Sequence, residues 1–364
     1  MSQSLLSQLW KQIQPSRHNK RQSTQTAKST TILLQNGLVI EHGEQDSVQV
    51  VDNTDILIVD GIIKEIGKSI KPPPHAEVVD CSNKIISPPG FINTHHHLWQ
   101  TQLKGYGTDH CWLEYFSDAA ISALEKYSLF PAPEDDYTIV ISHGNYMDDG
   151  DFSILKKHRV PLACTPATEA QGSMGWHLLF EPGLITALGA DCHCLTSSSL
   201  MQAARTALLF SRLQKTLELK EKGQKVDMFD HTSHGVFNKA TIEAARAVGL
   251  ESEIGSIAVG KRADILVFSR DQSLAFGASA REEPVAAIVT YSEARDIEAV
   301  LVNGCFRKRD GKMVPVMTDR KDIGLDQVLK ELDQSQKNIR QKRESCSTRI
   351  SKGLVCSIAQ PGQA

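Results

Sequence analysis

The chain has 364 residues, a formal net charge of −3, and 40% hydrophobic against 23% charged residues. This near-average globular composition excludes collagen, coiled coil and wholesale disorder, and the charge offers no chain-wide basic field for nucleic acid or an anionic membrane surface. Apolar runs such as Ile32–Leu34 and Ala263–Phe268 fall far short of the ~20 residues that span a bilayer.

Residues 1–30 carry Lys11, Arg17, Lys20, Arg21 and Lys28 and no Asp or Glu. They read as a disordered basic tail. Leu5, Leu6, Leu9, Trp10 and Ile13 at helical spacing give a mitochondrial transit peptide as the alternative. Eight cysteines without an apolar leader point to free thiols in a reducing compartment, hence the cytoplasm. In residues 31–87, Ile32–Ile40 reads as a strand pair broken by Asn36-Gly37, and Ile56–Val59 and Ile62–Ile66 flank Asp60-Gly61. Both dipeptides are hairpin signals. Val78–Val79 and Ile85–Ile86 follow, and the whole is too small to bury its own core.

Residues 88–253 change period. Pro88–Thr94 is apolar and extended, and Trp112–Tyr127 is helical in spacing. Tyr137–Ser142 reads as a strand ending at His143, Asp151–His158 as a helix, Val160–Cys164 as a strand, and Leu184–Gly189 as a strand ending at Asp191. Leu200–Leu213 and Lys239–Val248 read as helices. Strand–helix alternation predicts a parallel sheet, with chemistry at the C-terminal strand ends. Residues 254–321 return to β grammar in Gly255-Ser256-Ile257, Ala263–Phe268, Ala286–Thr290, Ala299–Val302 and Asp310-Gly311. Two half-sized β units predict one small composite β-sandwich built from both chain ends, with the α/β segment inserted between them. Residues 322–364 read as a helix carrying Leu325, Val328, Leu329 and Leu332, then a flexible tail.

The sharpest chemical feature is Asn93-Thr94-His95-His96-His97 after an apolar strand. Side chains alternate along a strand, so His95 and His97 share one face and His96 takes the other. Two imidazoles on one face can share a metal ion; a chance histidine run on a solvated loop is the competing reading. Cys192-His193-Cys194 with His177 nearby could form a zinc knuckle, although no second cysteine pair follows. His231 and His234, in a polar connection before a helix, suit solvated or capping roles.

Pro89-Gly90-Phe91-Ile92-Asn93-Thr94-His95-His96-His97 resembles the first-strand motif of the metal-dependent amidohydrolase superfamily, nearest the cytosine and guanine deaminases and the triazine chlorohydrolases. Ser142-His143-Gly144-Asn145 resembles the sixth-strand motif, Thr165-Pro166-Ala167-Thr168-Glu169 the seventh-strand loop, and Gly183–Asp191 followed by Ser197-Ser198-Ser199-Leu200 the eighth-strand motif. Ile254–Asp264 resembles the return into the sandwich. The resemblance covers about residues 31–320. It implies a (β/α) TIM-like barrel and one divalent metal, zinc first and iron second, held by His95, His97 and Asp191. Asp191 would also shuttle protons, and His143 would orient the attacking water. Gln100 and Glu169 would contact a small-molecule substrate.

The barrel implied is incomplete. Residues 88–250 number 163, against ~250 for eight units, and the 45 residues between His97 and His143 leave no room for strands two to five. The third histidine and the glutamate that the family places on strand five have no counterpart here, and His110 is the one histidine in that interval. A skipped exon or a decaying gene would give such a chain, and a second copy could cover the open barrel edges. The expected activity is hydrolysis of a non-peptide C–N bond, most simply deamination of a heterocyclic amine, with chlorohydrolysis as a variant. A catalytically impaired remnant is the alternative. Fungal relatives of this kind often belong to secondary metabolism.

Overall fold

The structure, a computed structural model, describes residues 30–88, 91–104, 108–109, 139–271, 273–317 and 322–346. The basic segment 1–29, the helix expected at Trp112–Tyr127, and His110 lie outside these residues.

Strands β1 (Thr31–His42), β2 (Val48–Val59), β3 (Ile62–Gly67), β4 (Glu77–Asp80) and β5 (Lys84–Ser87) come from the first β segment. Asp60 and Gly61 both have positive φ (50° and 80°), and Val59 pairs with Ile62 across them. This is the tight primed turn expected of Asp-Gly. Asn36-Gly37 behaves differently. β1 runs straight through it against β2, and the dipeptide is a bulge, with register shifts on both sides of Gly37 and Asn36 at φ 62°. The Asn36 amide leaves the ladder and donates to Asp55 Oδ1 at 2.8 Å. The same left-handed residue serves a hairpin or a bulge, and pairing with a long continuous partner selects the bulge.

The α/β segment supplies β6 (Ile141–Ser142), α1 (Asp149–His158), β7 (Leu162–Cys164), α2 (Pro166–Gln171), β8 (Thr186–Leu188), α3 (Leu200–Glu221), α4 (Ser233–Ala240) and α5 (Ile242–Ala247). β6, β7 and β8 form a parallel sheet in that order. Asp148 starts α1 with a reciprocal capping box to Asp151. The single helix expected over Lys239–Val248 is two, because Thr241 at φ −121°, ψ −99° breaks the turn and bonds its hydroxyl back to Phe237 O.

The second β segment adds β9 (Ile265–Ser269), α6 (Pro284–Tyr291), β10 (Ile297–Val302), β11 (Cys305–Arg309), β12 (Lys312–Met313), β13 (Val316–Met317) and β14 (Asp322–Ile323), before α7 (Leu325–Cys346). Ala286–Thr290, expected as a strand, lies in helix α6. Its apolar run fits either element, and Pro284 in the first turn together with the adjoining helical faces decides for helix.

β5 pairs antiparallel with β9 from Lys84↔Ser269 to Ser87↔Leu266. The two chain ends therefore share one nine-stranded sheet, running β12-β11-β10-β9-β5-β1-β2-β3 with β4 beside β1. Its edge curls back. Ile63 N donates to Lys261 O, Ala263 N to Gly61 O, and Gly304 N to Ala263 O. Along β9 the side chains split by parity. Leu266 and Phe268 enter the core shared with the helices, while Ile265 and Val267 enter a second core enclosed by the curl, with Ile56, Ile58 and Leu301. Burial on both faces explains why β9 shows no polar alternation. Among the described residues no helix is long and apolar enough to cross a membrane.

Candidate metal centre

The stretch Phe91–His97 is not a regular strand. It lies parallel beside the end of β8, joined by Thr94 N to Leu188 O, Asp191 N to His95 O and His97 N to Asp191 O, with His96 and Asp191 as bridge partners. Close approach here needs Gly189. A Cβ at that position would stand 2.8 Å from His95 Cβ and 3.0 Å from its backbone N and O, so only glycine lets the histidine segment lie against β8. Side-chain alternation survives in this irregular segment. His95 and His97 face the same way with ring centroids 5.2 Å apart, and His96 turns away to pair its Nε2 with His193 Nδ1 at 3.0 Å.

The Asp191 carboxylate, 1% exposed, sits at the centre. Its Oδ1 lies 3.0 Å from His95 Nε2 and 3.1 Å from His97 Nε2, and its Oδ2 lies 3.7 Å from His143 Nε2. Burial pushes this carboxyl up, but the His95 hydrogen bond and the facing imidazoles outweigh it and hold the group below its ordinary range. His97 is pulled down by burial despite Asp191. Asp191 and His143 both adopt positive φ (54° and 70°) at their strand ends. Such backbone costs of order 1–3 kcal/mol and gathers where side chains must be aimed.

Four residues support the cluster, and two of them, Ser142 and Thr165, were not legible as such in the sequence. The Ser142 hydroxyl lies 2.6 Å from His95 Nδ1 and orients that ring. Thr165 Oγ1 lies 3.0 Å from His143 Nδ1, and Glu169 Oε1 is 3.3 Å from the same nitrogen. Burial lowers His143, but the Glu169 hydrogen bond and the Asp191 and Glu169 charges raise it net. Cys192 Sγ lies 3.6 Å from His97 Nδ1. Ser142 and Thr165 occupy strand-end positions within quoted motifs, which is the one signal that singles them out.

Gln100 and Glu169, both expected to meet substrate, are fully buried and engaged with protein. Gln100 Nε2 faces His97 Nδ1 at 3.1 Å and donates to Cys192 Sγ, while its Oε1 accepts from Cys194 N at 3.4 Å. Glu169 Oε1 accepts from Thr165 N at 2.7 Å. The zinc knuckle does not assemble: His177 Nε2 bonds Ala207 O, away from Cys192 and Cys194. A cavity of about 440 Å³ adjoins the cluster and is lined by Thr165, Ala190, His193, Thr196, Ser197 and Gln202, among others.

The donor atoms of His95, His143 and Asp191 lie within 4.8 Å of one another, and so do those of His97, Asp191 and Cys192. Asp191 Oδ2 is buried with no hydrogen-bond partner. A buried, unpartnered carboxylate oxygen costs free energy that a cation would offset. Imidazoles and a carboxylate are the donor set that divalent ions such as zinc accept, so the residues present fit a divalent metal.

The profile of the Amidohydrolase family matches residues 113–307, more than half of the chain. The chain belongs to the amidohydrolase family. It is 24% identical over 210 residues to the 5-methylthioadenosine/S-adenosylhomocysteine deaminase of Caldanaerobacter subterraneus, covering 56% of this chain and 44% of that protein. It is 27% identical over 176 residues to the guanine deaminase of Mus musculus, covering 45% of this chain and 37% of that protein. This amidohydrolase thus spans less than half the length of these curated relatives. Among solved structures, the zinc-bound adenosine deaminase of Xanthomonas campestris superposes with a TM-score of 0.68 at 13% identity, covering 87% of this chain and 99% of that one. That likeness establishes a shared mixed α/β fold.

Proposed function

We propose that this amidohydrolase is a metal-dependent hydrolase of a non-peptide C–N bond, acting most simply as a deaminase of a heterocyclic amine. The observation that carries this reading is the buried Asp191 carboxylate facing His95, His97 and His143, with one oxygen lacking a hydrogen-bond partner. His95, His97 and Asp191 would hold the ion, and zinc fits the donor set first. Such an ion supplies Lewis acidity and brings a water toward ionisation near neutral pH. Asp191, kept ionised by its imidazole neighbours, accepts a proton from the water and passes it to the leaving nitrogen. Water's oxygen bonds the ring carbon, the C–N bond breaks, and ammonia leaves. Glu169 and Thr165 fix the His143 ring, so that its Nε2 points at the reacting water. Gln100 holds His97 and Cys192 in place. The cavity beside Thr165, lined by hydroxyls and the His193 imidazole together with Ala167, Ala190 and Leu195, leaves room for a small substrate next to the cluster, although none of His95, His97, His143 and Asp191 lines it.

We read β6, β7, β8 and the Phe91–His97 segment as units six, seven, eight and one of a barrel, set on a sandwich formed by the curled nine-stranded sheet. Units one and eight adjoin in a closed barrel, so the pairing of this segment with β8 needs no central units. A catalytically impaired remnant is the second reading, favoured by the 45 residues between His97 and His143. The test is metal content by elemental analysis together with ammonia release from guanine, cytosine and adenosine. Bound zinc with release abolished in Asp191→Asn supports the enzyme. Bound zinc with no release supports the remnant, and absence of metal from the purified wild-type chain after zinc loading overturns the metal-dependent enzyme and leaves the remnant standing.

A further inference from the structure

Resting on the reading of the cluster as a metal centre, we propose that Cys192 is a thiolate ligand of that centre, so that the ion is held by imidazole, carboxylate and sulfur together. Consecutive side chains of an extended chain point to opposite faces. Asp191 at φ 54° breaks that alternation, and the donor atoms of Asp191 and Cys192 converge with His97 within 4.8 Å of one another. The sulfur stands 3.6 Å from His97 Nδ1. Gln100, itself fully buried, donates from Nε2 to this sulfur at 3.5 Å.

Cys192 is 1% exposed, sealed by Leu103, Cys194 and Leu195. The neighbouring Asp191 Oδ2 lacks a hydrogen-bond partner, and a cation meets that need as well. Cys164, by contrast, is packed within the apolar core formed with the helices. Ligation costs the thiol its proton, which leaves to solvent. A soft sulfur donor also shifts preference from iron or manganese toward zinc and cadmium.

The test loads the full chain with cobalt(II), whose bonds to thiolate add an intense near-ultraviolet charge-transfer band to the weaker visible bands. The band is expected in the wild type, lost in Cys192→Ser with the visible bands retained, and unchanged in Cys194→Ser. X-ray absorption of the cadmium-loaded wild type, which needs no variant, is expected to show a sulfur neighbour. Cobalt bound by elemental analysis and visible spectrum but without the band overturns the proposal and leaves the metal centre standing. A band that survives Cys192→Ser, or vanishes in Cys194→Ser, overturns it too. A wild-type chain that takes up no cobalt overturns both the ligand and the centre.

Discussion

At the scale of single residues, the cluster is a balance of close approach and aimed backbone. Gly189 has no side chain to offer a ligand, yet it sets how near His95 comes to β8. Gly189→Ala is therefore expected to weaken zinc binding about 10–100-fold, the range seen when outer partners of metal ligands are disturbed. Competition with a chromophoric chelator measures this, and unchanged affinity would dissociate Gly189 from the site. His42 makes a different point. It stacks on Phe237 and meets Asn238 Oδ1 at 3.1 Å, joining β1 to α4. Burial lowers its pKa from 6.5, against the opposing pull of Asn238 and Asp46. Above 6.5 the ring is neutral folded or unfolded and costs nothing. As pH falls below 6.5 the unfolded chain binds a proton that the folded one resists, so stability is lost. Denaturant titrations between pH 7 and pH 5 should show this fall, and His42→Gln should flatten it.

At the scale of elements, glycine turns separate two costs that sequence alone merges. Gly61 and Gly311 both sit at positive φ (80° and 74°) in Asp-Gly hairpins. A Cβ on Gly61 would stand 2.5 Å from Asn303 O, whereas one on Gly311 meets nothing within 4 Å. Gly311→Ala should cost only the left-handed backbone penalty of about 1–2 kcal/mol. Gly61→Ala should cost more, because the backbone of the Asn303-Gly304 turn must also move. Urea unfolding of the two variants checks the order. The Asn303-Gly304 turn closes β10 on β11 with φ 51° and 70°. It is as strong a hairpin signal as the others, though it stood unread in the sequence beside the run Ala299–Val302.

At the scale of the whole molecule, β9 is the seam. It pairs with β5 from the first segment and β10 from its own, and contributes to both hydrophobic cores. Phe268 is fully buried and meets Phe276 edge-on at 5.6 Å. Phe268→Ala should lower stability by about 3–5 kcal/mol, read as a shift of the denaturant midpoint. The fragment 31–87 by itself should remain unfolded, since the second core needs Ile257, Val267 and Leu301 from the other end. A dispersed amide spectrum from that fragment would contradict this.

What the sequence determined by itself was local and periodic. Asp60-Gly61 forces its hairpin because two adjacent positive φ values admit few other residues. The spacing of His95 and His97 puts both rings on one face even where the strand is irregular. Strand ends at His143 and Asp191 follow from apolar runs that stop. Tertiary structure decided whatever depended on a partner distant in the chain. Asn36-Gly37 became a bulge because β2 runs on past it, and the apolar run at Ala286–Thr290 became helical because it packs among helices. Gln100 and Glu169 lie against His97 and His143 because burial leaves them only protein groups to pair with, and even so Glu169 Oε2 finds no hydrogen-bond partner. Which atoms come nearest is set by packing between segments up to about a hundred positions apart, as with Cys192 at 3.6 Å from His97, and no local pattern records that distance.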